Sequence, residues 1–351
     1  EDQGSQFIRI DGFGDMGNHP RCQAGLTFLG KCMGSLADDG EIGSNRPDLP
    51  GSLMAVHDGH LDIHQNYVKG VAALAAHCID GLLAVGDQRR GCSHVGEDFL
   101  HDFLVDLDIF CNQDPQTGKT TEFRNPSGRA NGLDFDPKGR LVAAEGANTG
   151  GNRRITRTEK DGSITVLADK WKGKRFNSPN DLIIDRKNRV YFTDPRYVGN
   201  EKREIDTESV YRIDPNGTVT QIISDVQKPN GIMLSPEMDI LYLADNNPKG
   251  SRLLLAYPLK DDGTVGKKKV LHDFAPDRGI DGMCLDAAGN IVATAGYYAA
   301  GSGPMLYVFS PSGRVLETHP VPANRPTNCC FGGPDLRTLY VTLSGRGELL
   351  A

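Results

Sequence analysis

Five oxygen-bearing side chains recur at one position of a sequence repeat and are the first candidates for a chemical site. They are Asn131, Asn180, Asn230, Asp281 and Asn328, which are separated by 49, 50, 51 and 47 residues. Four amides and one carboxylate supply only oxygen donors, and the set contains no cysteine or histidine. Donors of this kind suit Ca²⁺ first, then Mg²⁺ or Mn²⁺, and they disfavour Zn²⁺. The set therefore predicts a divalent-cation site.

A simpler interpretation of the same residues is turn formation. Asn and Asp are common turn residues, and Asn-Gly is a frequent turn pair. A turn needs such a residue near the bend, but it does not require the same residue class at one register of five successive units. The regular spacing therefore favours the cation site.

The elements that must position these residues are β-hairpins. Each unit opens with a short apolar run, turns at a polar element, and continues into a second apolar run, as in 180–194. A second hairpin lies between units, for example over 210–223. Four strands per roughly fifty residues, without an amphipathic helical stretch, predict the blades of an all-β propeller, five of which are readable.

The apolar runs 182–184 and 190–192 are hydrophobic on both faces, which is typical of strands that lie between neighbouring blades. A sandwich or a solenoid is the alternative, but a sandwich does not repeat at a constant fifty residues and solenoid repeats are shorter. In a propeller the first strands of all blades start at one end of the central channel. We therefore expect the five opening residues to converge there.

Three acidic residues, Glu145, Asp194 and Asp245, close the second apolar run of successive units. This position places them at a strand end. We expect them to lie away from the convergent residues and to be solvated in the ordinary way.

Several motifs also carry a family resemblance. They lie at 146–157, 177–181, 191–197, 228–231, 281–286 and 329–333. In order and spacing they resemble the senescence marker protein, gluconolactonase and luciferin-regenerating enzyme-like family, over about residues 106–345. The segment 146–157 resembles bacterial gluconolactonases in particular.

The resemblance implies a six-bladed propeller whose first blade is unrecognisable or damaged in this sequence. It also implies one catalytic divalent ion, held by Asn180, Asn230 and Asp281, in a hydrolase of sugar lactones. Ca²⁺ would polarise the lactone carbonyl, Asp281 would serve as general base, and Asn131 and Asn328 would line the channel. The family's fourth ligand is a Glu in a Glu-Gly-Pro motif on the first blade, and this tripeptide does not occur here.

Two other functions stay open from the sequence. The same ion could polarise a phosphoryl or aryl-ester group, which would make the chain an organophosphate or aryl-ester hydrolase. Alternatively, the propeller could be a non-catalytic, calcium-stabilised platform for binding. The absent Glu-Gly-Pro motif favours the platform more than any other feature does.

Residues 1–105 differ in composition and in sequence pattern from the propeller predicted over 106–351. They hold seven of the nine histidines and four of the eight cysteines, and the hairpin pattern is missing from them. They are interpreted as a degenerate first blade, a separate small domain or a mistranslated region. The segment 109–121 is interpreted as the third and fourth strands of a first blade.

The resemblance implies a small-molecule lactone or ester as the partner, and composition excludes other classes of partner. The net charge of −7 argues against nucleic acid. The longest mainly apolar stretch, 71–86, is too short and too polar to span a membrane. No intact signal peptide is recognisable, so we expect a soluble protein that is cytoplasmic or, if a signal peptide was removed, periplasmic or secreted. No Cys-x-x-Cys pair occurs, and the redox compartment stays open. The oligomeric state is not predicted.

Overall fold

The chain folds into antiparallel β-sheets. The computed structural model describes residues 28–30, 110–113, 120–147, 150–197, 199, 201–298, 300–322, 324–332 and 336–343. These residues form strands, turns and loops, and no α-helix occurs among them. The all-β class predicted from the repeat is therefore confirmed. No helix in the described ranges is long and apolar enough to cross a membrane.

Each of the first four repeat units forms one four-stranded sheet whose strands are adjacent in chain order. The first sheet has β4 (Ala130–Phe135), β5 (Leu141–Glu145), β6 (Arg154–Thr158) and β7 (Ile164–Ala168). The second has β10 (Leu182–Ile184), β11 (Val190–Asp194), β12 (Ser209–Ile213) and β13 (Val219–Ile223). The third has β14 (Pro229–Leu234), β15 (Ile240–Asn246), β16 (Arg252–Pro258) and β17 (Lys269–Asp273). The fourth has β18 (Met283–Leu285), β19 (Ile291–Tyr297), β20 (Ala300–Phe309) and β21 (Val315–Pro320).

Three smaller sheets complete the described structure. A three-stranded sheet contains β1 (Phe28–Gly30), β2 (Phe110–Gln113) and β3 (Thr120–Arg124). A two-stranded sheet pairs β22 (Pro326–Gly332) with β23 (Thr338–Leu343) in the fifth unit. A short pair, β8 (Lys170–Trp171) and β9 (Lys174–Arg175), lies between the first two four-stranded sheets in the sequence.

In each four-stranded sheet, the polar residue after the opening strand makes the hairpin turn. Asp136 accepts backbone N–H bonds from Lys138 and Arg140, each at 2.9 Å. Asp185 and Asp286 bind the two equivalent amides of their own turns. These bonds satisfy turn amides that have no strand partner, which explains the recurring Asp in the repeat.

The second strand of each four-stranded sheet is buried on both faces. In β11, Val190 and Phe192 join one hydrophobic cluster while Tyr191, between them, joins the next. Successive side chains of a strand point to opposite faces, so β11 contributes to two cores. This arrangement confirms that the apolar runs lie between neighbouring sheets.

The strands that open the five units, β4, β10, β14, β18 and β22, are here called the first strands. Neighbouring first strands approach closely at glycine positions. The Gly132 amide donates to the Asn180 carbonyl at 2.6 Å, and the Gly231 amide donates to the Asp281 carbonyl at 2.8 Å. A Cβ on Gly231 would lie only 2.5 Å from that carbonyl oxygen, so only glycine permits this approach.

Residues 110–113 and 120–124, in and just after the segment 109–121, pair as antiparallel strands. Their place as the third and fourth strands of a first blade stays a prediction. Strand β1 joins the other edge of β2, with Phe28 opposite Asn112. The other residues of the 1–105 segment, and its predicted boundary with 106–351, lie outside the described residues.

Candidate active site

One cavity collects all five opening residues of the repeat. Its volume is about 230 Å³ including the mouth, which is open to solvent. It is lined by Asn131, Gly132, Asn180, Asp181, Asn230, Asp281, Gly282, Thr327 and Asn328. The structure therefore brings every residue of the predicted set to the start of the first strands, and we call this space the first-strand cavity.

Asn180 presents an unsatisfied oxygen in this cavity. It lies just before β10, where its backbone amide donates to the Thr193 carbonyl at 2.9 Å. Its Oδ1 is buried and has no hydrogen-bond partner within the described part of the chain. A buried acceptor without a partner costs about 1–3 kcal/mol. A ligand that binds this oxygen would remove that cost.

Asn230 lies in β14, is 3% exposed and is oriented by two neighbours. Its Nδ2 donates to the Tyr197 hydroxyl at 3.3 Å, and its side chain also hydrogen-bonds to Asp281. A carboxylate only accepts, so both bonds use Nδ2 as donor. The Oδ1 of Asn230 is thereby left as an acceptor for a cation.

Asp281 lies just before β18, is buried, and forms an ion pair with the Arg278 guanidinium. The Arg278 Nη2 donates to its Oδ2 at 2.5 Å. Burial raises the pKa of Asp281, while the charge and hydrogen bonds of Arg278 and Asn230 oppose that rise. Arg278 also donates to the Pro326 carbonyl at 3.1 Å, so its guanidinium links the starts of two neighbouring first strands.

Asn131 and Asn328 are half-buried on the cavity wall. The Asn328 Oδ1 accepts the backbone amide of Cys329 at 2.8 Å, and its own backbone amide donates to the Thr342 hydroxyl at 3.0 Å. These bonds fix Asn328 and leave its Nδ2 as a donor toward a ligand.

Sequence reasoning missed a second carboxylate, Asp181, which lines the same cavity. Its Oδ2 accepts the Ile232 backbone amide at 3.2 Å and so ties β10 to the strand that carries Asn230. Burial, reinforced by the neighbouring carboxylates of Asp281 and Asp134, raises the pKa of Asp181 to about 7. The sequence contained one signal for Asp181. It directly follows an opening residue, and three other units have glycine at that position, namely Gly132, Gly231 and Gly282.

The expectation for the three strand-end acids was wrong. Glu145, Asp194 and Asp245 are buried, with 0%, 0% and 3% exposure. Antiparallel pairing brings the end of each second strand beside the start of the first strand, so these acids lie near the convergent residues. Asp194 accepts the backbone amides of Asn177 and Ser178 at 2.8 and 2.7 Å. It thereby fixes the segment that leads to Asn180.

The donor set fits a hard divalent cation. No three His, Cys, Asp or Glu side chains cluster as a metal group anywhere in the described ranges, so a cation in this cavity would need amide oxygens among its ligands. Asn180 offers a buried free oxygen, Asn230 offers Oδ1, and Asp281 offers the carboxylate. The carboxylates of Asp181 and Asp281 repel one another, and a bound cation would stabilise both in the ionised form.

Comparison with known proteins finds relatives that are named as sugar lactonases. A gluconolactonase of Zymomonas mobilis is 32% identical over 237 residues, which are 64% of this chain and 62% of that protein. A 6-deoxy-6-sulfogluconolactonase of Pseudomonas putida is 33% identical over 147 residues, which are 41% of this chain and 47% of that protein. The chain thus spans less than two thirds of these relatives.

A solved gluconolactonase structure from Xanthomonas campestris has the same fold. It superposes with a TM-score of 0.56 and 27% identity, over 67% of this chain and 78% of the other. The family model described as the SMP-30/Gluconolactonase/LRE-like region matches residues 104–345. That range agrees with the 106–345 over which the sequence motifs resemble this family. The chain therefore belongs to the SMP-30, gluconolactonase and luciferin-regenerating enzyme-like family.

Proposed function

We propose that this chain is a divalent-metal-dependent hydrolase of sugar lactones and that the first-strand cavity is its active site. The observation that carries the proposal is the buried, unpartnered Oδ1 of Asn180 in the same cavity as Asn230 and Asp281. The names of the relatives, gluconolactonase and sulfogluconolactonase, support a sugar lactone as the substrate.

Asn180, Asn230 and Asp281 would hold the cation, and Ca²⁺ suits their oxygens best. When bound, the ion would supply Lewis acidity to the lactone carbonyl. Asp181 stands where it can add negative charge to the site, which compensates in part for the absent Glu-Gly-Pro motif. Mg²⁺ and Mn²⁺ are the next candidates, and Zn²⁺ is disfavoured because the cavity lining offers no nitrogen or sulfur ligand.

Asp281 would act as the general base. It would take a proton from the water that adds to the carbonyl carbon. The bond from that carbon to the ring oxygen then breaks, and the proton passes to the ring oxygen to give the open hydroxy acid. The paired Arg278 favours the ionised form of Asp281 that this role requires. Asn131 and Asn328 line the cavity wall, where their amides would bind substrate hydroxyl groups.

We further propose that the family domain covers residues 106–351 and has six blades. The four four-stranded sheets would be the second to fifth blades, and the β22–β23 pair would belong to the sixth. The β1–β2–β3 sheet would belong to the first. The pairing of β1 with β2 favours a degenerate first blade over a separate small domain in the segment 1–105.

The test is hydrolysis of δ-gluconolactone by the purified protein. The rate is measured as isolated, after treatment with EDTA, and after adding back Ca²⁺, Mg²⁺, Mn²⁺ or Zn²⁺ separately. We expect EDTA to abolish turnover and Ca²⁺ to restore it. An aryl ester and an aryl phosphotriester are run in parallel, and faster turnover of either would replace the lactone as substrate class. A folded, calcium-binding protein without turnover would instead identify a binding platform.

A further inference from the structure

Two thiols meet beneath the first-strand cavity. Cys284 lies in β18 and Cys329 lies in β22, and their Sγ atoms are 3.6 Å apart. Cys329 is 6% exposed and also contacts the Val292 carbonyl, whereas Cys284 is half-buried. The two cysteines are 45 residues apart in the sequence and belong to neighbouring units, so the contact is made only by the fold.

The contact follows from the geometry of the repeat. Cys284 is the third residue after the opening residue Asp281, and Cys329 is the first residue after the opening residue Asn328. Asp134 and Asp181 occupy the same two positions in another neighbouring pair of units, and there the two carboxylates influence each other's charge. In that pair Asp134 Oδ2 accepts the Ile184 backbone amide at 2.9 Å, so the third residue after the opening residue again lies against the neighbouring first strand.

We propose that Cys284 and Cys329 are a disulfide-forming pair, and that a small-molecule disulfide oxidant joins them into a bond between two neighbouring first strands. Closing the bond brings the sulfur atoms from 3.6 Å to about 2.05 Å, a movement that side-chain rotation and a small approach of the strands can supply. The pair serves no purpose in the hydrolytic chemistry proposed above, so the modification is a separate property of the chain.

The chemistry balances as two thiol–disulfide exchanges. The thiolate of half-buried Cys284 attacks one sulfur of the oxidant, which forms a mixed disulfide and releases one small thiol. The thiolate of Cys329 then attacks the Cys284 sulfur and releases the second small thiol. The two cysteines lose two electrons and two protons, and the oxidant gains them. Hydrogen bonding with Cys329 and burial both raise the pKa of Cys284, so little of it is thiolate at neutral pH and the first exchange should be faster at alkaline pH.

The bond would fix the ends of the cavity wall that carry Asp281 and Asn328. These residues lie three and one positions before the two cysteines, on strands that already share close contacts. A crosslink between residues 45 apart restricts the unfolded chain, so the oxidised protein should resist thermal unfolding better than the reduced protein.

The test uses the full chain treated with oxidised glutathione, followed by digestion with trypsin without reduction. Cys284 lies in the peptide 279–314, and Cys329 lies with exposed Cys330 in the peptide 315–337. We expect these two peptides to be joined, and the link to disappear on reduction. The matched control is Cys330→Ser, which should keep the link, whereas Cys329→Ser should lose it. In Cys330→Ser, oxidation should raise Tm by roughly 5 °C.

The proposal is overturned if the folded Cys330→Ser variant forms no 284–329 link under oxidant. It is equally overturned if Cys284 links to Cys330 in the unsubstituted chain. Circular dichroism before and after oxidation establishes that each sample is folded. If Cys329→Ser does not fold, Cys284→Ala replaces it as the variant that should lose the link.

Discussion

Replacing Gly231 with alanine tests whether close approach of the first strands sets the geometry of the cavity. Gly231 lies between Asn230 and Ile232 in β14, and its amide donates to the Asp281 carbonyl at 2.8 Å. An added Cβ would lie 2.5 Å from that backbone oxygen, which cannot rotate away. To reach an ordinary contact of 3.4 Å, the two strands must separate by about 0.9 Å.

This separation moves two proposed cation ligands apart, because Asn230 lies in one of the two strands and Asp281 lies just before the other. Overpacking of this kind costs about 1–3 kcal/mol in the free energy of unfolding. A misplacement of about 1 Å at a reacting site lowers turnover roughly 100-fold. We therefore expect Gly231→Ala to fold with reduced stability and to lose most of its lactone hydrolysis.

The two effects are measured by urea denaturation and by kcat/KM for δ-gluconolactone. Gly266→Ala is the matched control, because its added Cβ would meet only the Pro258 side chain, at 3.2 Å, and lies outside the cavity lining. It should change both quantities little. A Gly231→Ala protein as stable and as active as the unsubstituted chain would refute the steric argument.

Three further substitutions test individual charges. Asp281→Asn should abolish lactone turnover while the far-ultraviolet circular dichroism is retained, and an active variant would remove Asp281 from the mechanism. Arg278→Gln removes the cation that opposes the raised pKa of Asp281, so the acidic limb of the kcat–pH profile should move to higher pH; an unmoved limb would contradict the pairing. Glu145→Gln should lower the free energy of unfolding by about 3 kcal/mol, because buried Glu145 holds both Arg124 and Arg154. The control Glu159→Gln, in a more exposed cluster, should change stability little, and equal effects would show that burial of Glu145 is unimportant.

The convergence of the five opening residues was predictable because equal repeat positions occupy equal places on equivalent strands. Asn131 and Asn328 lie 197 residues apart in the chain, yet they line one cavity because each lies near the start of the first strand of its unit. The recurring Asp of the hairpin turn was readable for a similar reason, since its bonds go to amides two and four residues away.

Contacts between units were not predictable from the pattern. The Tyr197 hydroxyl reaches Asn230 across 33 residues, and Asp181 reaches the Ile232 amide across 51. Both contacts depend on how neighbouring sheets pack against each other. Comparing the repeat units with one another gives no information about that packing. The prediction for Glu145 failed because its strand runs antiparallel to the preceding strand. Glu145, at the end of its strand, therefore lies beside the start of the preceding strand and is buried there.

The most direct test of the cation site is calorimetric titration of Ca²⁺ into the metal-free chain and into Asn180→Ala. Asn216→Ala, in an outer turn, is the control. The unsubstituted chain and the control should bind one Ca²⁺ per chain, and Asn180→Ala should bind it more weakly by roughly tenfold or more. Without metal, Asn180→Ala should be at least as stable as the unsubstituted chain, because it removes a buried oxygen that has no partner in the described structure. Equal Ca²⁺ affinity in all three proteins, or no binding by the unsubstituted chain, would contradict the account.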